Sequence, residues 1–338
     1  MAEALVVERT GHATVQDLGR PGLAHLGLSA NGAADAHAAR IANILVGNRS
    51  GAPLIEVTGS SFGFRPRSRV LLAVTGAAGR LLAGGVSCPL SEPVVVEAGC
   101  PVQLEMAGSG HRTYVALNGE IGAAPVLGSV APDPVLGIGR RLVEGDVVEL
   151  RSRFTELHHP FSGVPLFRLA APRIPLRRAL AVDVTVGPDA GEFGAAPTGE
   201  PAGTFTVSPL SDHVGLRLTG PAPRREVSTE ILSRGVPVGA VEVPPNGGLI
   251  VLLRGRLVTA GYPILAVATT TALDRLGQVR PGDSLTFRAQ SLESADADLR
   301  ERERGLTELA ARVARAFRHV GLAHVLDDDH LSASAAPP

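Results

Sequence analysis

Residues 14–22 read TVQDLGRPG and directly follow a short predicted strand. Two glycines and a proline in this stretch predict a tight turn with a fixed backbone. The polar side chains of Gln16, Asp17 and Arg20 are therefore expected to lie on a rigid loop, where binding and catalytic groups are often found. Asp17 and Arg20 equally fit a structural role, in which they pair with each other or cap backbone amides.

Short β-rich runs separated by Gly and Pro turns extend from this turn over most of the chain. Their close spacing is typical of a β-barrel or sandwich and not of alternating strands and helices. A proline- and arginine-rich stretch over 151–178 divides them into two groups and predicts an interdomain connection. The predicted strands are Leu5–Val7, Leu54–Thr58, Val70–Thr75, Val94–Glu97, Val102–Met106, Thr113–Leu117, Val147–Leu150, Val182–Val186, Phe205–Val207, Val214–Leu218, Val238–Val243, Leu249–Leu253, Leu265–Ala268 and Leu285–Phe287.

An internal repeat relates the two groups of strands. The segments LVEGDVVEL (142–150) and QVRPGDSLTF (278–287) both place Gly-Asp before a closing strand. We therefore expect two related barrels in series.

Two amphipathic helices are predicted. The first spans Ala33–Val46, with Asn31 placed to cap its start, Asp35 in its first turn and Gly47 at its end. The second spans Asp296–Val320 and docks either on its own barrel or on a partner. Its inward residues are predicted to be Leu299, Leu306, Leu309, Val313 and Phe317.

Three further motifs follow with fixed spacing: VPPNGG (243–248), TAGYP (259–263) and LGQVRPGD (276–283). Together with TVQDLGRPG, their order resembles the family formed by the C subunits of 5-oxoprolinase, also described as allophanate hydrolase subunit 2. Relatives of that family include half of the urea carboxylase carboxyltransferase domain and an antagonist of a sporulation kinase inhibitor. The resemblance covers roughly Val6 to Phe287.

The resemblance implies a mainly β fold of two tandem cyclophilin-like β-barrel domains with a few short helices. We place the N-terminal, carboxyltransferase-type barrel at 1–160 and the C-terminal barrel at 161–292. An amphipathic helix and a disordered tail are expected over 293–338.

The same resemblance nominates site residues on the loops of both halves. Arginines and backbone amides would stabilise developing negative charge, an aspartate would take or orient a proton, and Gly261 would let the backbone approach a flat ligand. Each residue also fits a purely structural role, as a turn cap, as an ion-pair partner or in the packing of the barrel. The catalytic candidates are Asp17, Arg20, Asp35, Arg217 and Tyr262, and the substrate-binding candidates are Gln16, His25, Ser29, Ser211, Asp212, Thr259, Gly261 and Gln278.

Several positions depart from the family pattern. Residues 211–217 read SDHVGLR where SDRMGYR is usual, and residues 259–264 read TAGYPI where TGGYPK is usual. Gly255 stands in place of an aspartate, and Glu242 in place of a glutamine. These changes remove polar groups within the motifs, so we expect an altered substrate choice or a specialised subunit.

Composition excludes several function classes. At 338 residues and 44% hydrophobic content the chain can bury a sizeable core, most simply as two domains. A formal charge of −1 without a basic stripe argues against nucleic-acid and anionic-membrane partners. The absence of a spanning apolar run and of a basic leader predicts a cytoplasmic protein.

Lysine is absent, so all 32 cationic Lys and Arg positions are arginine. A phosphate-binding loop ending in lysine and a biotinyl-lysine are therefore impossible in this chain. Biotin could act only on another polypeptide, and any ATP is expected at the level of a complex. Cys88 and Cys100 have no ligand at metal spacing, so no metal is predicted.

A Gly-x-Ser-x-Gly match at 59–63 suggests a serine hydrolase elbow. A helix must follow such a serine, but Pro66 nearby forbids one, so we interpret the segment as a turn between strands.

Three functions remain open. The first is an enzyme subunit that opens 5-oxoproline to glutamate using ATP, together with a B-type partner (allophanate hydrolase subunit 1-like) and an A-type partner. The second is half of a biotin-dependent carboxyltransferase acting on a urea-like nitrogen, served by a biotin carrier. The third is a regulatory binding protein that antagonises a kinase inhibitor. For the first two we expect a small amide or lactam substrate and no activity from the chain alone.

Overall fold

The computed structural model describes residues 3–154, 169–194, 200–221, 223–245 and 247–326. Over these residues the chain forms 21 β-strands and three α-helices and divides into two compact units. Among the described residues, unit 1 comprises 3–18, 36–154, 169–175 and 302–326, and unit 2 comprises 19–35 and the described residues of 176–301. The predicted mainly β fold with a C-terminal helix is confirmed.

Unit 1 contains twelve strands in two antiparallel sheets. One sheet has the order β11-β12-β1-β4-β9-β6-β7 and the other the order β2-β3-β10-β5-β8. Alternate apolar residues of both sheets share one buried core, which includes Val7, Phe64, Leu72 and Val115. The strands are β1 Glu3–Thr10, β2 Ala13–Gln16, β3 Leu54–Thr58, β4 Phe62–Pro66, β5 Val70–Gly76, β6 Ala78–Ala83, β7 Val86–Cys88, β8 Pro93–Val96, β9 Val102–Met106, β10 Arg112–Leu117, β11 Glu120–Ile121 and β12 Val147–Arg151.

Helix α1 (Ala36–Leu45) packs on β5 and β10 of unit 1. The Thr75 hydroxyl donates to the Ala38 carbonyl at 2.7 Å, which fixes the helix on the sheet. The predicted helix was too long at its start, and Asn31 does not cap it. Residues 31–35 belong to unit 2 instead.

Unit 2 is a closed seven-stranded barrel with the order β13-β20-β17-β18-β15-β14-β21. A parallel pairing of β13 with β21 closes it, and a separate two-stranded ribbon joins β16 to β19. The strands are β13 Ala179–Val186, β14 Phe205–Val207, β15 Gly215–Thr219, β16 Arg234–Gly235, β17 Ala240–Glu242, β18 Leu249–Leu252, β19 Thr259–Ala260, β20 Ile264–Ala268 and β21 Ser284–Ala289.

Two helices follow strands of unit 2. Helix α2 (Thr270–Leu276) begins after Thr269, whose side chain accepts from the Ala272 amide at 3.3 Å. Helix α3 (Leu292–His319) starts four residues before the predicted Asp296. Its part from Arg302 onward belongs to unit 1, where Phe317 is fully buried and Arg40 pairs with Glu303. Leu299 is only partly buried, in contrast to the predicted inward position.

The predicted repeat is confirmed for its Gly-Asp turn, although unit 1 forms two sheets and only unit 2 forms a closed barrel. The Asp146 carboxylate accepts from the Val143 amide at 2.8 Å, and the Asp283 carboxylate accepts from the Arg280 amide at 3.0 Å. The preceding glycines have φ of 87° and 86°, a region that favours glycine. The same turn therefore precedes the last strand of each unit.

The Gly-x-Ser-x-Gly match is a turn, as predicted. Residues 59–61 connect β3 to β4, and a strand rather than a helix follows Ser61. No helix in the described part of the chain is long and apolar enough to cross a membrane.

Candidate functional site

The segment 19–35 gathers several predicted residues within unit 2. A Cβ at Gly19 would lie 2.4 Å from the Ala30 carbonyl oxygen, so only glycine lets this loop close on itself. The Arg20 amide donates to the same carbonyl at 2.8 Å, and the Arg20 side chain is 2% exposed. His25 lies on an exposed turn, with its Nδ1 3.0 Å from the Gly22 carbonyl oxygen.

The loop after β18 binds the segment 19–35 through two hydrogen bonds. The Ser29 hydroxyl donates to the Arg256 carbonyl at 2.5 Å, and the Asn31 amide donates to the Arg254 carbonyl at 3.0 Å. Ser29 and Asn31 are both buried, and Asn31 has a φ of 53°. These two bonds join the segment 19–35 to the loop that leads from β18 to the TAGYP motif at 259–263.

Asp35 and Gln278 meet directly, although 243 positions separate them in the chain. The Gln278 amide nitrogen donates to an Asp35 carboxylate oxygen at 2.8 Å, and both residues are nearly fully buried. Gly277 allows this contact, because a Cβ there would lie 2.5 Å from the Ala34 carbonyl oxygen. The end of α2 positions Gln278, because the backbone amide of Gln278 donates to the Arg275 carbonyl.

Thr259, Gly261 and Tyr262 lie on or next to the β16–β19 ribbon. Thr259 is exposed and Tyr262 is 40% exposed, so both side chains are available to a ligand. A Cβ at Gly261 would lie 3.1 Å from the Ile231 carbonyl oxygen, so this glycine permits a close approach between two backbone segments of the chain itself.

Ser211 and Asp212 shape the turn before β15. The Asp212 carboxylate accepts from the Val214 amide at 2.8 Å, and the Ser211 hydroxyl accepts from the Arg217 amide at 3.0 Å. Arg217 itself is exposed on the outer face of the barrel, between the buried Leu216 and Leu218.

Two departures from the family pattern are in contact. A Cβ at Gly255 would lie 2.5 Å from Cδ2 of His213, and the Gly255 amide donates to the His213 carbonyl at 3.2 Å. The positions at which the resembling family carries arginine and aspartate are therefore neighbours in this fold.

Gln16 and Asp17 belong to unit 1, whereas the cluster around Asp35, formed by Asp35 and Gln278, belongs to unit 2. The Asp17 carboxylate accepts from the Ser129 hydroxyl at 2.6 Å and from the Val130 amide at 2.8 Å. These bonds tie the opening turn to the loop after β11, which is a structural role. The Gln16 amide nitrogen donates to the Thr14 hydroxyl at 3.3 Å.

Sequence reasoning missed the buried Arg256 and the partly buried Arg254. Arg256 is 8% exposed and donates from Nε to the Val236 carbonyl at 2.9 Å, and burial lowers the pKa of its guanidinium. Arg254 forms an ion pair with the buried Asp274 at 3.2 Å. The only sequence signal was their position on either side of Gly255.

Glu242 was noted only as a departure, yet it is 2% exposed on β17. Burial raises the pKa of its carboxyl to about 7. Among the described residues, no group of three or more His, Cys, Asp or Glu side chains is arranged to hold a metal ion.

Comparisons with known proteins agree with this architecture. The family "Carboxyltransferase domain, subdomain A and B" matches residues 26–289. The chain is 33% identical over 323 residues to the C subunit of 5-oxoprolinase from Escherichia coli strain K12, covering 91% of this chain and 98% of that relative. It is 29% identical over 305 residues to urea amidolyase of Saccharomyces cerevisiae, covering 84% of this chain and 16% of the relative.

A solved structure is also similar. The crystal structure of TTHA0988 superposes with a TM-score of 0.74 at 34% identity, covering 85% of this chain and 56% of that one. The chain thus spans about half of TTHA0988, whereas it spans nearly all of the relative from E. coli. It belongs to the carboxyltransferase domain family, and its relatives include subunits and domains of enzymes.

Proposed function

We propose that this chain is one subunit of a hetero-oligomeric, ATP-dependent amide-ring hydrolase of the 5-oxoprolinase type. The observation that carries the proposal is the match to the C subunit of 5-oxoprolinase, which extends over 91% of this chain and 98% of the relative. Because that relative is itself one subunit of an enzyme, we assign this chain a B-type partner, with an A-type partner completing the enzyme.

Four buried residues of unit 2 support roles in this reaction. In the hydrolysis of a lactam, a water oxygen bonds to the ring carbonyl carbon, the ring C–N bond breaks, and the nitrogen takes a proton. The buried cationic groups of Arg20 and Arg256 would stabilise the negative charge that develops on the carbonyl oxygen. Asp35, held by Gln278, would orient the proton.

The residues of this chain do not fit a lysine-dependent ATP or biotin site. The chain has no lysine, so it offers neither the lysine of a phosphate-binding loop nor an attachment point for biotin. We therefore assign ATP to the complex as a whole, and we assign biotin, where it is used, to another polypeptide.

One alternative is supported by a specific observation. The family match is to a carboxyltransferase domain, and the yeast urea amidolyase aligns over 84% of this chain. Half of a biotin-dependent carboxyltransferase acting on a urea-like nitrogen would have the same fold and would need the same charge-stabilising arginines.

The test uses the chain co-purified with a B-type and an A-type partner. With ATP and 5-oxoproline we expect glutamate, and added avidin should not change the rate. Avidin-sensitive carboxylation of urea without any glutamate would overturn the hydrolase proposal in favour of the alternative. Stable association with neither activity would favour a regulatory binding protein.

A matched pair of variants tests the site. Asp35→Asn keeps the oxygen that accepts the Gln278 hydrogen bond but loses the charge, so we expect turnover to fall by roughly 100-fold or more. The control Asp298→Asn removes an exposed charge on α3 and should leave turnover unchanged. Equal turnover in the two variants would remove Asp35 from the mechanism.

A further inference from the structure

Glu242 is an acidic residue buried in apolar surroundings outside the cluster around Asp35. Its cross-strand partners are Ile250 on β18 and Ile264 on β20. Val241 and Val243 contribute to the barrel core, so Glu242 lies on the opposite, outer face of β17. Its Oε1 is buried and forms no hydrogen bond within the described part of the chain.

The β16–β19 ribbon and its flanks cover this face. Val236 and Ala260 pack with Ala240, Ile250 and Ile264 in a small apolar cluster separate from the barrel core. A charge at Glu242 would therefore have to be accommodated in surroundings that solvate it poorly, which is costly.

Few charged groups lie on the elements that pack against Glu242. Strands β18 and β20 contribute none, since both are entirely apolar. Arg234 on the ribbon pairs with Asp189, whose carboxylate also accepts from the Ile264 amide at 2.7 Å. Arg256 donates to the Val236 carbonyl, and Tyr262 lies between β19 of the ribbon and β20.

The ribbon has fewer strand pairings than the other elements next to Glu242. Its two strands are joined by the pairs Arg234–Ala260 and Gly235–Thr259 and by a bond from the Val236 amide to the Val258 carbonyl at 3.0 Å. The Arg234–Asp189 ion pair and the bond from Arg256 to the Val236 carbonyl tie it to the rest of unit 2. Strands β17, β18 and β20 are instead paired on both sides in the barrel. A charge on Glu242 is therefore relieved most easily by the ribbon moving away and admitting water.

We propose that Glu242 is a positioning residue: its uncharged form keeps the ribbon closed with Thr259, Gly261 and Tyr262 in place, and its ionised form opens the ribbon. The Val243 amide donates to the Pro263 carbonyl at 3.1 Å, which couples β17 directly to the residue after Tyr262. Because the pKa of the buried carboxyl is about 7, the change falls near neutral pH and the ribbon opens as the pH rises. A ligand role for the ribbon rests on the proposed function, whereas the ribbon movement does not.

The two tyrosines of the chain provide a direct readout, since tryptophan is absent. Tyr114 is fully buried and Tyr262 is 40% exposed, so acrylamide quenching of tyrosine fluorescence reports mainly on Tyr262. The signal of the Tyr262→Phe variant is subtracted as the baseline. We expect quenching to rise in one step centred near pH 7 in the unaltered isolated chain.

Glu242→Gln should abolish this step, and Glu242→Met provides a second uncharged variant in case the first does not fold. Glu230→Gln removes an exposed carboxylate a few residues before the ribbon and should retain the step. The histidines remain in every variant, so a step that persists without Glu242 belongs to another group and overturns the proposal. The absence of any step in the unaltered chain would overturn it as well.

A second readout uses the complete complex. In the complex, the Glu242→Gln variant should keep its turnover at higher pH than the unaltered chain does. The Glu230→Gln variant should show the pH profile of the unaltered chain. A tyrosine step without any turnover would leave the role of Glu242 intact and count against the proposed function alone. An unchanged pH profile of an active complex would show that the ribbon movement does not act on the site.

Discussion

Asp35 and Gln278 show what residue-level reasoning could reach. Their motifs nominated both as site residues, and the structure joins them at 2.8 Å. The same reasoning could not place Gln16 and Asp17 in a different unit, because local sequence does not specify which partner an acid finds. It also missed Arg256, since nothing in the sequence around an arginine signals that it will be buried.

Glu242 leads to a prediction about stability and pH. Folded Glu242 keeps its proton up to about pH 7, whereas the unfolded carboxyl loses it near 4.5. The folded state therefore binds more protons between these values, and this residue makes the free energy of unfolding fall as the pH rises. Relative to the unaltered chain, Glu242→Gln should gain about 3 kcal/mol between pH 4.5 and 7.5.

Urea unfolding at a series of pH values measures this difference. Glu230→Gln, at an exposed position, should follow the unaltered chain throughout. Parallel curves for Glu242→Gln and the unaltered chain would mean that the buried carboxyl is already ionised or already solvated.

At the scale of elements, apolar alternation located most of the strands that form the two cores, but it missed β4, whose Phe62 and Phe64 are fully buried in unit 1. All 14 predicted strands exist: three have the predicted bounds (β3, β9 and β14) and the other eleven have shifted ends. The seven missed strands, β2, β4, β6, β7, β11, β16 and β19, are short or rich in polar and glycine residues, so their pairing depends on neighbours distant in the chain. Helix α1 starts late because Asn31 bonds to Arg254, a tertiary contact that overrides local helix signals.

The contact between the end of α2 and the segment 19–35 can be tested by a substitution at Gly277. Gly277 has helical dihedral angles, so Gly277→Ala brings no backbone strain but forces a Cβ to within 2.5 Å of the Ala34 carbonyl oxygen. We expect a loss of about 1–3 kcal/mol in the free energy of unfolding.

Gly305→Ala is the matched control, since Gly305 is exposed in α3 and a Cβ there meets nothing within 4 Å. This variant should gain about 0.5–1 kcal/mol, because alanine favours a helix over glycine. If both substitutions stabilise the chain in urea unfolding, the close approach at Gly277 does not exist in solution.

At the scale of the whole molecule, each unit is formed by stretches that are separate along the chain. The predicted domains 1–160, 161–292 and 293–338 follow one another in order, whereas the observed units take 19–35 into unit 2 and 302–326 into unit 1. The assignment of these segments to the units depends on contacts between residues distant in the chain, for example Ser29 with Arg256 and Arg40 with Glu303. No local sequence pattern encodes such contacts. The family resemblance identified the overall fold because it depends on the order of the motifs.

The proposed function requires that this chain works only as part of an assembly. Purified B-type and A-type partners are titrated together into a fixed amount of the chain with ATP and 5-oxoproline, and glutamate is measured. We predict no glutamate from the chain alone or from the partners without it, and a rate that rises to saturation at a fixed ratio once all are combined. Glutamate produced by the chain alone, or a rate from the partners that the chain does not change, would contradict the account.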